Sequence, residues 1–120
     1  MNKAQALNSF WNSFGLFAYD ENTVPKNAQM PYITYNVATG AIDDFVALNA
    51  SLWYHETSWK NIQEKADEIA EYIGQSKIIK LDKGYMYITQ GTPFAQRMSD
   101  ENPDVRRIYI NLAVEFFTEY

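Results

Sequence analysis

Residues 105–117, Val105-Arg106-Arg107-Ile108-Tyr109-Ile110-Asn111-Leu112-Ala113-Val114-Glu115-Phe116-Phe117, alternate side-chain character over an unusually long run. Ile108, Ile110, Leu112, Val114 and Phe116 fall on one face, and a period of two turns that face toward a core. Strands in globular domains are usually about five or six residues long. A strand this long in a 120-residue chain is either the spine of a sheet or an element offered to a neighbouring subunit.

A second alternating run covers 45–56. Val46, Leu48, Ala50, Leu52 and Tyr54 form a continuous apolar face, which predicts contact with the core. Ala47, Asn49, Ser51, Trp53 and His55 form a mixed face, with Phe45 at its head. Residues 32–37 (Tyr32 to Val37) read as a short strand rich in β-branched and aromatic side chains. Thr39-Gly40 and Asp43-Asp44 bracket a turn between these two strands, which makes them an antiparallel pair. Lys77 to Leu81 and Tyr85 to Gln90 form a hairpin around a three-residue loop, Asp82-Lys83-Gly84, with glycine supplying the positive φ.

Two segments read as helices. Residues 2–15 carry Ala4, Leu7, Trp11 and Phe14 at helical spacing, with Phe10 beside them, Asn2 as cap and Gly15 as stop. This helix either lies on the sheet or serves as an arm that docks on another subunit. Residues 58–73 carry an apolar stripe of Trp59, Ile62, Ala66, Ile69 and Ile73. Ser58 is the expected cap and Gly74 the left-handed terminator. Glu64, Lys65, Asp67, Glu68 and Glu71 form a solvated opposite face. Residues 18–31, with Pro25 and Pro31, read as a connector, and 94–104, with Pro103, as a polar loop. The expected fold is one α+β domain spanning 1–120. Its two layers are two helices packed on one face of a mostly antiparallel sheet of about five strands.

Composition then narrows function. The chain is 47% hydrophobic and 16% aromatic, enough for a packed core. Nine Tyr, seven Phe and three Trp imply either a crowded core or aromatic side chains at an interface. A net charge of −5 argues against gripping nucleic-acid phosphates, which takes clustered Lys and Arg. With no cysteine, disulfides and thiolate metal sites are excluded. The N-terminus lacks a signal-peptide pattern and no window is a membrane span, so a cytoplasmic protein is the default expectation.

No catalytic constellation is legible. His55 is the single histidine, and its neighbour Glu56 points to the other face of a strand, so the two cannot chelate together. Asp43-Asp44 and Asp100-Glu101 are better explained as turns than as cation ligands. Lys83-Gly84 lacks the upstream glycines of a phosphate loop, and no nucleophile elbow is present. The expectation is therefore no catalytic residue, no cofactor and no metal. Tyr85, Tyr87 and Tyr109 stand on strands and could stack single-stranded RNA bases, but the acidic charge opposes that use.

The order and texture of the chain resemble the phage tail terminator (tail completion, head–tail joining) family. The resemblance rests on a leading helix, on Pro31-Tyr32-Ile33-Thr34-Tyr35 at the first strand, and on the strand and helix from Leu52-Trp53-Tyr54 to Gly74. It is also carried by Gly91-Thr92-Pro93-Phe94-Ala95-Gln96-Arg97-Met98 and by Arg106-Arg107-Ile108-Tyr109-Ile110-Asn111-Leu112. It implies a structural virion protein, assembled in the host cytoplasm. Copies would form a homo-oligomeric ring, usually a hexamer, that caps the head-proximal end of the tail tube. Such a ring stops tube polymerisation and joins the tube protein to the head–tail connector, and genomic DNA passes through without specific binding. Arg97, Met98, Arg106 and Arg107 are the expected partner-facing residues, since Arg and Met are enriched in interface cores. The competing readings are another neck or minor capsid adaptor, and a monomeric ligand- or RNA-binding α+β module.

Overall fold

The computed structural model describes residues 1–38 and 45–117. The turn expected around Thr39-Gly40 and Asp43-Asp44 lies outside the described residues. In chain order the elements are α1 (Lys3–Asn12), β1 (Phe17–Asp20), β2 (Tyr32–Tyr35), β3 (Phe45–Tyr54), α2 (Lys60–Ile73), β4 (Lys77–Leu81), β5 (Gly84–Met98) and β6 (Arg106–Phe117). The strands form one sheet in the order β1-β2-β3-β6-β5-β4. β1 runs parallel to β2, and every other pairing is antiparallel.

The fold is α+β only in the broad sense. Two helices over about five mostly antiparallel strands is not the layout. The sheet has six strands, is mixed, and curls into a half-barrel. Two segments expected as loops account for the difference. The first is β1, where Phe17-Ala18-Tyr19-Asp20 pairs in register with Tyr32-Ile33-Thr34-Tyr35. Four residues ahead of a polar turn carry too little alternation to be read as a strand. The second is the far half of β5. Its register steps from Gln90↔Leu112 to Ala95↔Ile110, so residues 91–94 stand opposite Asn111. An extended bulge of this kind interrupts the alternation while the strand continues to Met98.

The spine prediction is realised by β6. It pairs with β3 from Tyr54↔Arg106 to Phe45↔Glu115, and with β5 on its other side. Ile108, Ile110, Leu112, Val114 and Phe116 are all buried. On β3, Leu48, Ala50, Leu52 and Tyr54 are buried on the same face. Both helices complete this core. From α1 come Ala6, Leu7, Phe10 and Trp11; Ala4, expected in the stripe, is exposed. From α2 come Ile62, Ala66, Ile69 and Ile73. Full burial of one Leu, Ile or Phe side chain contributes about 1.5–3 kcal/mol, so this shared cluster dominates stability.

Polar side chains lock the helices in place. Asn2 and Gln5 form a reciprocal capping box at the start of α1. At its other end Asn12 bonds the backbone of β1: Ala18 N–H donates to Oδ1 at 3.0 Å, and Nδ2 donates to the Ala18 carbonyl at 3.3 Å. The cap of α2 is Trp59 rather than Ser58, although Ser58 Oγ accepts from the Lys60 N–H at 3.1 Å. Gln90 donates from Nε2 to the Ala70 and Gly74 carbonyls, at 3.0 and 3.3 Å, satisfying the last turn of α2 from the sheet. The expected positive φ at Gly74 is present, at +57°.

Candidate assembly interface

The two segments at the end of the chain that carry the family resemblance are hydrogen-bonded neighbours. Ala95, Gln96, Arg97 and Met98 stand opposite Ile110, Tyr109, Ile108 and Arg107. Arg97, Met98, Arg106 and Arg107 therefore gather at one end of the sheet. Strand alternation splits them between its faces. Arg97 and Arg106 point to the helix side, and Met98 and Arg107 to the side away from the helices.

On the helix side the organising residue is Trp59, at the entry to α2. The guanidinium carbons of Arg97 and Arg106 lie 4.7 and 5.3 Å from its ring centroid. Arg97 also donates from Nε and Nη2 to Gln63 Oε1, at 3.3 and 3.2 Å. Arg106 donates from Nε to the Thr57 carbonyl at 3.0 Å. Its Nη1 donates to the Pro103 and Val105 carbonyls at 2.9 and 3.2 Å. Three backbone acceptors make Arg106 a clamp on the connections entering α2 and β6. Trp59 was expected in the apolar stripe of α2. A tryptophan beside a serine cap, on the element opposite two arginine-bearing strands, was the available signal for this stack.

On the other face Arg107 lies 4.6 Å from the Trp53 ring and 5.8 Å from that of Tyr109. Its Nε donates to Ser51 Oγ at 3.1 Å, and Ser51 is itself buried. The Nη atoms of Arg107 have no hydrogen-bond partner among the described residues. Met98, opposite Arg107, is exposed. Neither Arg97 nor Arg107 forms an ion pair among the described residues. In a chain of net charge −5, these are cations with capacity left for a partner's acceptors.

From Trp53 an aromatic row crosses the sheet: Trp53 to Tyr32 at 6.5 Å, Tyr32 to Tyr19 at 5.9 Å, and Tyr19 stacked on Phe17 at 6.4 Å. Trp53 Nε1 donates to Thr34 Oγ1 at 2.9 Å, which fixes the indole orientation. Phe17 at the end of the row is 72% exposed. The aromatic set expected from sequence is divided. Tyr109 meets Arg107 beside this row, whereas Tyr85 and Tyr87 lie beyond the bulge, beside Ile78 and Phe117.

No protein-family model matches the chain, and no curated protein matches it in sequence. Function therefore rests on the geometry.

Of the carboxylate and histidine candidates, Asp43-Asp44 lies outside the described residues. His55 is exposed, just past the end of β3. Asp100 accepts from the Asn102 N–H at 3.0 Å, the turn-forming role expected of it. Among the described residues no three His, Asp or Glu side chains converge on a metal-sized site. Among the described residues, the titratable group that departs from its ordinary range is Tyr54. Burial pushes its phenol up, and the carboxylates of Glu56 and Glu68 add to the shift.

Proposed function

We propose that this protein is a phage tail terminator: a structural subunit that closes into a ring on the head-proximal end of the tail tube, ends tube growth and joins the tail to the head connector. The observation that carries the reading is the register between β5 and β6. The segments Gly91–Met98 and Arg106–Leu112, which carry the family resemblance, form one paired ribbon with Arg97, Met98 and Arg107 at its end. A ring built from one kind of subunit needs two different patches that meet head to tail. The cationic end of this ribbon, with Trp53 and Trp59 on opposite faces of the sheet, is the patch assigned here. The tube protein and the connector are the further partners, and DNA slides through an acidic lumen that repels phosphate. In this reading the protein is not an enzyme and acts in the virion.

Light scattering with negative-stain imaging of the same sample tests the proposal. The expected result is a species of about six times the monomer mass, seen as a ring with a central hole, alone or on tail tubes. A chain that stays monomeric and also fails to bind tube ends would refute it, leaving a neck adaptor or a monomeric binding module.

A further inference from the structure

The two edges of the sheet are not equivalent. At β1 the outward backbone is occupied. Ala18 exchanges both its groups with the Asn12 amide, and the Asp20 carbonyl accepts from the Thr23 N–H at 2.9 Å. At β4, among the described residues, the outer edge is engaged only beyond its tip, where the Asp82 N–H donates to the Met1 carbonyl at 2.9 Å. Leu81 and Gly84 close a two-residue loop as a hydrogen-bonded pair. Alternation along the antiparallel ladder then directs the backbone groups of Lys77 and Ile79 to β5, and those of Ile78 and Lys80 to the open edge.

The side chains of β4 divide between the two faces of the sheet. Ile78 and Lys80 stand opposite Tyr87 and Tyr85, on the face away from the helices. There Ile78, Tyr85, Tyr87 and Phe117 line a hollow of about 200 Å³. Ile78 is 62% exposed, an apolar side chain left open on an unpaired strand. Lys77, Ile79 and Leu81 point to the helix side. Lys77 Nζ lies 4.3 Å from the Tyr72 ring centroid, Leu81 is buried, and Ile79 packs partly buried against the core.

The sequence Lys77-Ile78-Ile79-Lys80-Leu81 complements its own reverse. Two copies of β4 laid antiparallel about a two-fold axis at Ile79 set Lys77 opposite the other copy's Leu81 and Ile78 opposite the other copy's Lys80, and Ile79 meets Ile79. All five residues of β4 then pair. The groups that exchange hydrogen bonds are those of Ile78 and Lys80, the ones turned outward. Edge lysines usually discourage strand pairing. In this register no lysine stands opposite a lysine. Each Lys80 lays its aliphatic stem against the other copy's Ile78, at the rim of the hollow, and carries its ammonium group to water. The adjoining registers pair a shorter stretch, and one of them does set Lys80 against Lys80, which is unfavourable. The β1 edge of a second copy is no alternative, because Asn12 already closes it. We propose that β4 is a two-fold seam, on which a second copy of this chain adds its own β4 and the two sheets become one. The contact is isologous, whereas the ring contact is head to tail. It goes beyond the ring reading and does not depend on it.

Because the chain has no cysteine, a single introduced thiol reads the register. Across the seam the two Ile79 residues form a non-hydrogen-bonded pair with Cα atoms about 4.5 Å apart, within disulfide reach. The two Ile78 residues are diagonal, about 7–8 Å apart, which is beyond it. In a glutathione redox buffer, Ile79→Cys is expected to give about tenfold more disulfide-linked dimer than Ile78→Cys. Mixing Ile78→Cys with Lys80→Cys should link the two, since those positions stand opposite each other. The unsubstituted chain gives a second reading. Amide hydrogen exchange is followed at Ile78 and Lys80, with β6 amides as the measure of an intact fold. Both amides should exchange about tenfold more slowly at millimolar than at micromolar chain concentration, with β6 unchanged. Fast exchange at every concentration would mean that no second copy takes the edge. Slow exchange at every concentration would mean that the chain covers the edge itself. An Ile79→Cys yield no higher than that of Ile78→Cys would break the register. Each of these three results overturns the proposal.

Discussion

Asn12 and Ala18 are bonded to each other twice, with the side-chain amide of the helix residue standing in for the next strand of the sheet. The amide presents one donor and one acceptor, the pair that a strand residue would offer. The last turn of α1 is thereby fixed to the β1 edge, and that edge cannot accept a further strand. Replacing Asn12 with Ala leaves both Ala18 groups without their protein partner. The expected loss is about 1–3 kcal/mol, read as a lower urea midpoint with unchanged slope. Asn12→Asp keeps an acceptor for the N–H but sets a carboxylate against the Ala18 carbonyl, so it should also be less stable than the parent. An Asn12→Ala midpoint equal to the parent's would mean that solvent replaces both bonds at no cost.

The Arg97–Trp59 contact should behave as an independent energetic unit. A double-mutant cycle with Arg97→Ala and Trp59→Ala is expected to give a coupling of about 0.5–1 kcal/mol, the range for a cation over a ring at the surface, here the partly buried Trp59. Zero coupling would show that the 4.7 Å approach contributes nothing.

Assembly, by contrast, should depend on the arginines whose bonding capacity is not used up. The Arg97→Glu and Arg107→Glu double variant is expected to keep the parental far-UV circular dichroism. Its stability should fall by about 1–3 kcal/mol, through loss of the Ser51 and Gln63 bonds. The same variant should fail to form rings in light scattering and electron microscopy. Arg106→Glu is the contrasting case. Its three carbonyl acceptors predict a lower melting temperature first. A double variant that assembles like the parent would remove this end of the sheet from the subunit contact.

Much of this architecture was readable because alternation and helical spacing report burial directly. The inward faces of β3 and β6, the stripe Ile62-Ala66-Ile69-Ile73, the Asn2 cap and the presence of a β4–β5 hairpin follow from one element's own pattern, although the hairpin loop has two residues and not the expected three, because Gly84 pairs with Leu81. What was missed depends on partners distant in sequence. Phe17–Asp20 becomes a strand because Tyr32–Tyr35 lies beside it, and nothing within those four residues announces that. Gly91-Thr92-Pro93-Phe94 reads as a loop because a bulge breaks the period, yet Asn111 holds it by donating to the Pro93 carbonyl at 2.9 Å. The neighbourhood of the candidate residues was half legible. The four expected residues do meet at one end, but Trp53 and Trp59, which orient three of them, emerge only once the register is known.

Gly91 marks the tightest point of that bulge. A Cβ there would lie 2.8 Å from Asn111 Cβ and 2.9 Å from the Asn111 carbonyl oxygen. Backbone cannot yield as a long side chain can, so Gly91→Ala should destabilise by about 1–3 kcal/mol. The loss should be largest in amide protection of the β5–β6 ribbon from Ala95 to Met98. A Gly91→Ala protein with the parental urea midpoint would show that the bulge shifts freely.

Alkaline stability should report on Tyr54. Its phenol is raised above the ordinary 10.0, first by burial and then by the carboxylates of Glu56 and Glu68. The unfolded chain releases this proton near the ordinary value, while the folded chain holds it longer. Below pH 10 the contribution of the neutral phenol is therefore complete. As pH rises past 10 toward the folded-state value, the unfolded state loses its proton first and stability falls. Tyr54→Phe has no proton to lose at this position. Whatever its stability relative to the parent at pH 8, it should gain on the parent at pH 11, because the two proteins differ only in this phenol. Urea unfolding of the two proteins at both pH values makes the comparison. A difference that stays constant from pH 8 to pH 11 would mean that the phenol ionises equally readily in the folded and unfolded chain.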